Sequence, residues 1–306
     1  MKHHNQQKNH DIQVGRGDNL ADKYVVLSQI SSGGMSEVYL VEEKATPDNR
    51  WAVKAANQNH PLAHKLSDEA KLLSELEHPY LPYVVDFFAD DNNYYLVMEY
   101  IQGVSLLDYL DLYGQPFSVE RIIRIGKQLC DVLEYLHQQQ PNPIIYRDIK
   151  PGNILLMEDG TIKLIDFGTA RKYDDQHLMD TVRVGTVAFA APEQFEKKQT
   201  DERTDLFSLG ALLYYLLSEG KYVYTVQKPI GKLCKGLPKS LRKCVDRLVR
   251  LEPSERIQTV QEAKSLLEHA EKELENQPQK RRKCIRLVSI VSISALFIGY
   301  VITNML

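Results

Sequence analysis

The sequence predicts an α+β protein with two lobes, a small β-rich lobe followed by a larger helical one. Between Tyr24 and Tyr100 the apolar residues fall mostly in short runs typical of strands. From Ser105 onward the spacing of apolar residues becomes helical. Gln102 and Gly103 lie where the two patterns meet. We therefore expect a hinge between the lobes at this point.

The first lobe is preceded by a polar stretch and is predicted to hold five strands and one helix. Residues 1–20 contain His3, His4 and His10 among Gln and Asn, which indicates a disordered tail, with a metal site as the alternative. This stretch lacks the apolar run of a secretory signal. A helix is predicted over residues 62–76, where leucines recur at helical spacing. The predicted strands are residues 24–30, 38–42, 51–55, 84–89 and 94–99.

The second lobe is predicted to be built from helices. Ser118 precedes apolar residues that recur at helical spacing up to Leu136, so Ser118 is a candidate N-cap. Further helical patterns cover residues 204–218, 241–251 and 259–274. The four cysteines contain no CxxC pair, which predicts free thiols in a reducing compartment.

The C-terminal twenty residues, 287–306, carry no charged side chain. A helix of this length spans about 30 Å, the thickness of a bilayer's hydrocarbon core. The alternative is a terminal helix buried in the globular domain. By the positive-inside rule, the basic residues before this segment predict a single-pass anchor in the cell membrane with a cytoplasmic body. Those basic residues are Lys280, Arg281, Arg282, Lys283 and Arg286.

Charge and small residues bear on the partners of the chain. The net charge is −3 despite the basic cluster at 280–286, so the preceding body is more acidic than the whole. An acidic body argues against nucleic-acid binding, which requires a basic face. Ala295 and Gly299 form a small-xxx-small pair that would allow two membrane helices to associate as a homodimer.

Two short stretches carry the residue types that phosphoryl transfer requires. Asp148, Lys150 and Asn153 lie two and three residues apart, and Asp166 opens a later Asp-Phe-Gly. One carboxylate can orient an attacking hydroxyl while a lysine offsets charge on the phosphoryl group. An amide oxygen and a second carboxylate can hold Mg²⁺. The order and spacing of the two stretches make chance agreement a poor explanation.

These stretches resemble the catalytic and metal-binding loops of protein kinases, and further motifs extend the resemblance from residue 24 to 267. The resemblance implies a bilobal protein-kinase fold over residues 21–270, with lobes at 21–101 and 102–270. Residues 271–286 would be a charged juxtamembrane linker. Ala191-Pro192-Glu193-Gln194, together with one C-terminal membrane helix, is most similar to the eukaryotic-like Ser/Thr kinases of bacteria.

The resemblance implies the following site. Asp148 would orient the substrate hydroxyl, Lys150 would face the transferred phosphate of ATP, and Asn153 with Asp166 would bind Mg²⁺ or Mn²⁺. The form Asp-x-Lys-Pro-x-Asn is that of serine/threonine-specific members. Tyr146 stands where the family usually has a histidine, which mostly serves packing.

The nucleotide would be bound mainly by the first lobe. The stretch after the first strand resembles the Gly-rich loop, with Ser31 and Ser36 in place of its outer glycines; an ordinary hairpin turn is the alternative. Lys54 would contact the phosphates and pair with Glu69, for which Asp68 is the rival. Backbone groups from Glu99 to Ile101 would bind adenine, with Met98 limiting the pocket's depth. The loop comprises Ile30, Ser31, Ser32, Gly33, Gly34, Met35, Ser36, Glu37 and Val38.

The segment between Asp166 and Glu193 resembles an activation loop. Thr186 would bond Asp148 and Lys150, and Thr181 is a candidate for regulatory phosphorylation, or else a silent surface residue. The function implied is a membrane-tethered kinase that phosphorylates Ser and Thr of proteins and itself. A nucleotide-binding pseudokinase scaffold is the alternative, favoured by Ser31 and Ser36. A small-molecule kinase is disfavoured by the match at 191–193.

Overall fold

The computed structural model describes residues 12, 14–33, 36–114, 116–173, 187–196 and 199–276. These residues form a β-rich lobe followed by a helical lobe, so the predicted α+β architecture is confirmed. Several predicted features lie outside the described residues: Gly34, Met35, Thr181, Thr186 and the apolar segment 287–306.

The first lobe contains one antiparallel sheet of six strands in the order β1-β2-β3-β4-β6-β5. Alternating side chains of its middle strands, such as Val41, Val53 and Val97, are fully buried on one face. The five predicted strands all form, each within two residues of the expected ends. The strands are β1 Asn19–Leu20, β2 Tyr24–Ser32, β3 Glu37–Glu43, β4 Arg50–Asn57, β5 Val84–Ala89 and β6 Asn93–Glu99.

Helix α1, His64–Ser74, packs on the other face of this sheet, against β5 and β6. Leu66 and Leu73 are buried in the same core cluster as Leu96 of β6. Glu69 lies on this apolar side of the helix and is 2% exposed. A carboxylate buried this deeply requires a cationic or hydrogen-bonding partner, which the site provides.

The second lobe is helical, and its longest helix, α3, lies in the centre of its core. Helix α5 is buried on nearly all sides, which explains its almost continuous apolar sequence. Side chains of Ser118, Asp201 and Thr259 accept backbone N–H bonds at the starts of α3, α5 and α9, so the predicted cap at Ser118 is confirmed. The helices are α2 Leu106–Tyr113, α3 Val119–His137, α4 Pro192–Phe195, α5 Glu202–Leu217, α6 Val223–Val226, α7 Ile230–Leu233, α8 Lys239–Leu248 and α9 Val260–Glu275.

Five short strands between and around these helices position the loops at the lobe junction. Strand β9 pairs with both β7 and β10, and β8 pairs with β11. A short 3₁₀ turn, Pro151–Asn153, connects the loop after β8 to β9. The strands are β7 Gly103–Ser105, β8 Ile144–Ile145, β9 Ile154–Met157, β10 Ile162–Leu164 and β11 Arg171–Lys172.

Both ends of the domain differ from expectation. The predicted disordered tail includes β1, which pairs with β2 because Leu20 is buried in the sheet core. The predicted linker begins inside α9, whose last turn is anchored by buried Leu274 and by an ion pair between Lys127 and Glu271. Among the described residues, no helix has the length and apolar character that crossing a bilayer requires.

Candidate active site

Lys54 of β4 binds two carboxylates at the junction of the lobes. Its Nζ lies 2.7 Å from Glu69 Oε2 on α1 and 2.9 Å from Asp166 Oδ1. Asp68, the rival partner, is exposed and does not bind Lys54. Burial works against a charge on Lys54, but attraction by Glu69 and Asp166 outweighs it and raises the pKa of Lys54. Lys54 is therefore held as a cation that joins both lobes.

Asp166 is fixed by its own backbone and by Lys54. Its φ of +67° places it in the left-handed region, and Gly168 N donates to its Oδ1. Burial would raise the pKa of Asp166, but the charge of Lys54 and the hydrogen bonds prevail and lower it. Glu69 Oε1 accepts the N–H of Phe167, so Glu69 holds both Lys54 and the Asp-Phe-Gly stretch.

The loop between β8 and β9 gathers Asp148, Lys150 and Asn153. Lys150 Nζ lies 2.7 Å from Asp148 Oδ2, and Asn153 Nδ2 donates to the same oxygen at 2.9 Å. Asn153 Nδ2 also donates to the carbonyl of Asp148, which fixes the turn. The carbonyl of Asn153 accepts Ile165 N at 2.9 Å, so this loop is bonded to the strand end that carries Asp166. The four residues therefore share one small region.

The backbone of this loop is held by Asp205, which is fully buried in α5. Its two oxygens accept the N–H groups of Tyr146 and Arg147 at 2.9 and 2.7 Å. These bonds hold Arg147 at a φ of +68°, a conformation that non-glycine residues rarely adopt. His137 at the end of α3 lies 2.9 Å from the same carboxylate. His137 was not predicted as a contact of this loop, because a histidine near a helix end has no distinctive signal in the sequence.

Gln194 is a second contact that the sequence did not reveal. Its Nε2 donates to the carbonyl of Arg147 and its Oε1 accepts the N–H of Ala191. It is 2% exposed and thus ties α4 to the backbone beside Asp148. In the sequence, the only signal for Gln194 was its position directly after Ala191-Pro192-Glu193.

Tyr146 fills the core beneath the two acidic stretches. It is fully buried, its ring meets that of Phe167 edge-on at 5.0 Å, and its hydroxyl donates to the carbonyl of Ile165. Burial raises the pKa of Tyr146, with the nearby charges of Asp166 and Asp148 acting in the same direction. A neutral aromatic residue therefore supports both loops at this position.

The hairpin between β2 and β3 is described except for Gly34 and Met35. Ser31 pairs with Val38 and Ser32 with Glu37 in the sheet, and Gly33 N donates to Ser36 O at 2.9 Å. Ile30 is 48% exposed. A tight hairpin and a nucleotide-covering loop are both compatible with this geometry.

Residues 100–102 connect β6 to β7, and the predicted hinge at Gln102 and Gly103 lies at the end of this connection. Met98 and Ile101 are buried. The N–H of Glu99 donates to Tyr83 O, and its carboxylate lies 2.7 Å from Lys163 Nζ of β10. The N–H and the carboxylate of Glu99 are therefore both bonded within the protein. The interlobe ion pair with Lys163 was not predicted.

A cavity of about 230 Å³ lies between α1 and the start of the segment after Asp166. Lys65, Arg147 and Arg171 line it, together with the acidic residues Asp68 and Glu69. The guanidinium of Arg147 donates through Nε to Thr169 O at 2.8 Å, so it is oriented toward this segment. Three cationic side chains and two carboxylates therefore line this cavity.

Comparison with known proteins gives a consistent result. The model of the family described as "Protein kinase domain" matches residues 24–289 of this chain. A probable serine/threonine-protein kinase of Clostridium perfringens, CPE1738, is 31% identical over 84% of this chain and 39% of its own length. PrkC of Bacillus subtilis is 34% identical over 66% of this chain and 31% of its own. PknB of Mycobacterium tuberculosis is 32% identical over 69% and 35%. The chain thus spans between three and four tenths of the length of these relatives.

Proposed function

Because the chain belongs to the protein kinase family, with a domain of the serine/threonine type, we propose that it transfers the γ-phosphate of ATP to Ser and Thr hydroxyls of proteins. The strongest support for this proposal is the arrangement of the charged and amide side chains at the lobe junction. Lys54 binds Asp166 at 2.9 Å, and Asp148 binds Lys150 and Asn153 at 2.7–3.0 Å. The bond from Ile165 N to Asn153 O holds these two sets side by side at the lobe junction.

Asp148 is assigned the role of orienting the attacking hydroxyl. It accepts two hydrogen bonds on Oδ2, which hold the carboxylate in one orientation before substrate arrives. Lys150 lies beside it and is positioned to offset charge on the transferred phosphate, while Lys54 would hold the phosphates farther from the hydroxyl. Catalysis by this arrangement depends on positioning and electrostatics rather than on a covalent intermediate.

Asn153 and Asp166 fit the role of Mg²⁺ ligands. The side chain of Asp166 is 42% exposed, and its Oδ2 accepts no hydrogen bond from the described residues. An amide oxygen and a carboxylate are the hard ligands that Mg²⁺ prefers, with nucleotide phosphates and water completing its shell. The described residues contain no cluster of three or more His, Cys, Asp or Glu that could bind a metal without such help. When bound, the ion would neutralise charge on the phosphates.

The proposed activity predicts a specific labelling result. The full chain in detergent, with Mg²⁺ and γ-labelled ATP, should place label on Ser and Thr of a protein substrate. Lys54→Met and Asp166→Asn should each lower the labelling rate by about a hundredfold or more, because each removes a charge that positions phosphate or metal. Lys71→Met is the matched control, since Lys71 is an exposed lysine on the helix that carries Glu69. Label on tyrosine alone would contradict the proposal.

The pseudokinase alternative rests on Ser31 and Ser36, which replace glycines in the β2–β3 hairpin. Serine lacks glycine's freedom of backbone conformation and is bulkier where phosphates would approach. If nucleotide raises the melting temperature of the chain but no label appears under any condition, the scaffold function is favoured. The intact group of Lys54, Asp148, Asn153 and Asp166 argues for the enzyme.

Autophosphorylation is a second part of the proposal. The cavity lined by Lys65, Arg147 and Arg171 supports it, because a phosphate on the segment after Asp166 would find cationic partners there. Thr181 is the proposed acceptor, and Thr186 is assigned the structural role beside Asp148. Both lie outside the described residues.

Membrane tethering is the third part. It is supported by the uncharged run 287–306 and by the basic cluster before it. Cell membranes that contain the full chain should retain it in high salt and release it in detergent, because apolar insertion is insensitive to ionic screening. The variant Ile293→Glu/Phe297→Glu places charges in the run and should shift the chain to the soluble fraction. Release of the unaltered chain by salt alone would reject the tether.

A further inference from the structure

Basic residues are concentrated in one part of the second lobe. Residues 221–250 contain nine Lys and Arg side chains and one acidic residue, Asp246, although the whole chain has a net charge of −3. This stretch forms α6, α7 and α8 with their connecting loops. A separation of charge this strong produces a local positive potential on an otherwise acidic protein.

The geometry of α8 places several of these side chains on one surface. Leu241, Cys244, Val245 and Leu248 are buried against the core. At 100° per residue, Lys239 and Lys243 lie on the opposite, solvent side of the helix, and half-buried Arg242 lies at the edge of that side.

Helix α7 extends the same surface. A Cβ placed on Gly231 would lie 2.7 Å from Arg242 Cδ, so the two helices touch at this point. Lys228, Lys232 and Lys235 precede or follow this contact and are exposed. We define the basic face as Lys228, Lys232, Lys235, Lys239, Arg242 and Lys243.

Within the described part of the chain, no side chain of the basic face forms an ion pair. The nearby Arg247 differs, since it pairs with Glu262 of α9. Two carboxylates adjoin the face, and both bind backbone N–H groups: Asp246 accepts Ile230 N at 2.8 Å, and Glu273 accepts Lys239 N at 2.6 Å. The face therefore keeps a net positive charge of several units. Mutual repulsion among these cations disfavours the arrangement unless an anionic partner binds it.

The exit of the chain from the domain indicates the nature of this partner. Glu273, in the last turn of α9, contacts the first residues of α8, so the chain leaves the domain at the edge of the basic face. A groove of about 620 Å³ at this edge is lined by Lys239, Arg242 and Lys272. From Asn276 to Leu287 the extended backbone reaches at most about 40 Å. If residues 287–306 insert in a bilayer, as proposed above, this edge of the domain stays near the headgroups.

We propose that the basic face binds the anionic headgroups of the membrane and holds the kinase domain against the lipid surface. This inference rests on the proposed tether for the identity of the partner, while the face itself is a property of the described residues. A single apolar helix anchors the chain but leaves the domain free to rotate. Electrostatic binding by α7 and α8 would fix which side of the domain faces the bilayer.

The test uses the full chain with Ile293→Glu/Phe297→Glu, so that insertion does not mask electrostatic binding. One variant adds Lys232→Glu, Lys235→Glu and Lys243→Glu on the basic face. Its matched control adds Arg16→Glu, Lys44→Glu and Arg50→Glu, three exposed cations of the first lobe. Binding is measured by sedimentation with phosphatidylcholine vesicles, with and without about a third phosphatidylglycerol, and circular dichroism verifies folding.

Binding of the tail-disabled chain should require phosphatidylglycerol and weaken as salt rises. The basic-face variant should lose about a hundredfold in affinity, since each basic residue near an anionic surface contributes about fivefold. The control should stay within about threefold of its parent. Equal binding by the two folded variants, or binding to an acidic peptide but not to these vesicles, would overturn the proposal. If the chain with its unaltered tail does not insert in neutral vesicles, the proposed tether is rejected. The proposal for the basic face is not affected by that result, because its test uses chains whose tail cannot insert.

Discussion

Replacing Asp148 with Asn should lower kcat for phosphate transfer by about a thousandfold, within the usual range for a group that handles the proton of the nucleophile. Asn keeps the size of the side chain but removes its charge and one of its acceptor oxygens. The carboxylate of Asp148 accepts both Lys150 Nζ and Asn153 Nδ2 on one oxygen, at 2.7 and 2.9 Å. We therefore expect both a weaker base and a loosened Lys150. Initial rates at saturating ATP and protein substrate measure the effect.

Asp159→Asn serves as the control for this prediction. Asp159 lies in the turn between β9 and β10, is exposed, and bonds only Thr161 among the described residues. The same chemical change there should leave kcat within about twofold. ATP affinity of Asp148→Asn, measured by calorimetry, should stay within about tenfold, since Lys54 and Asp166 are untouched. A folded Asp148→Asn protein that retains a tenth of the original kcat would refute the assigned role.

Replacing Arg256 with Met should lower the free energy of unfolding by about 3–5 kcal/mol, the usual cost of removing one partner from a buried ion pair. Arg256 is 1% exposed and binds Glu193 through both terminal nitrogens, at 2.6 and 2.7 Å. Met would leave the carboxylate of Glu193 buried, with the hydroxyl of Thr204 as its only side-chain donor among the described residues. In a domain of this size the melting temperature should fall by about 10 °C.

The remaining donors of Arg256 explain why Lys should not replace it. Its Nε donates to Arg250 O, and its other two N–H groups donate to Arg203 O and Leu251 O, so all five donors are used. An ammonium group has three donors and cannot reproduce this planar arrangement. Arg256→Lys should therefore lose more than half as much stability as Arg256→Met. Arg250→Met is the control, because Arg250 is exposed and forms no ion pair within the described residues.

An unchanged melting temperature for Arg256→Met would show that this pair adds nothing to stability. The prediction also has a consequence for the site. Glu193 is adjacent to Gln194, which donates to the carbonyl of Arg147. Loosening α4 should therefore lower activity at temperatures below the melting transition. Gln194→Ala would separate this positioning effect from stability.

The main elements of the fold could be predicted from the sequence because each is defined by a local pattern. Strands β2 to β6 alternate or run apolar over six to nine residues, and α3 begins at a serine that caps it. The short strands β7 to β11 were not predicted, since two to four residues carry too little periodicity. They form because pairing partners distant in the chain are brought together.

The residue types of the site were likewise readable in order along the chain, from Lys54 through Asp148 to Asp166. The partners that these residues bind were harder to predict. The sequence left Asp68 as a rival to Glu69, and the packing of α1 against β5 and β6 decided between them. The contacts of Gln194 with Arg147 and of Glu99 with Lys163 join residues 47 and 64 apart. Nothing local in the sequence specifies such pairs.

By itself, the sequence determined which chemical groups this protein can use and in which lobe each one lies, because side-chain chemistry and local periodicity are properties of the chain. Only the tertiary structure decided which groups share a site. Lys54 and Asp166 are 112 residues apart in sequence and 2.9 Å apart in space. The six cations of the basic face likewise become one surface only when α7 packs on α8. Packing of the core sets these proximities, and with them the charge of each group and the partners that it can bind.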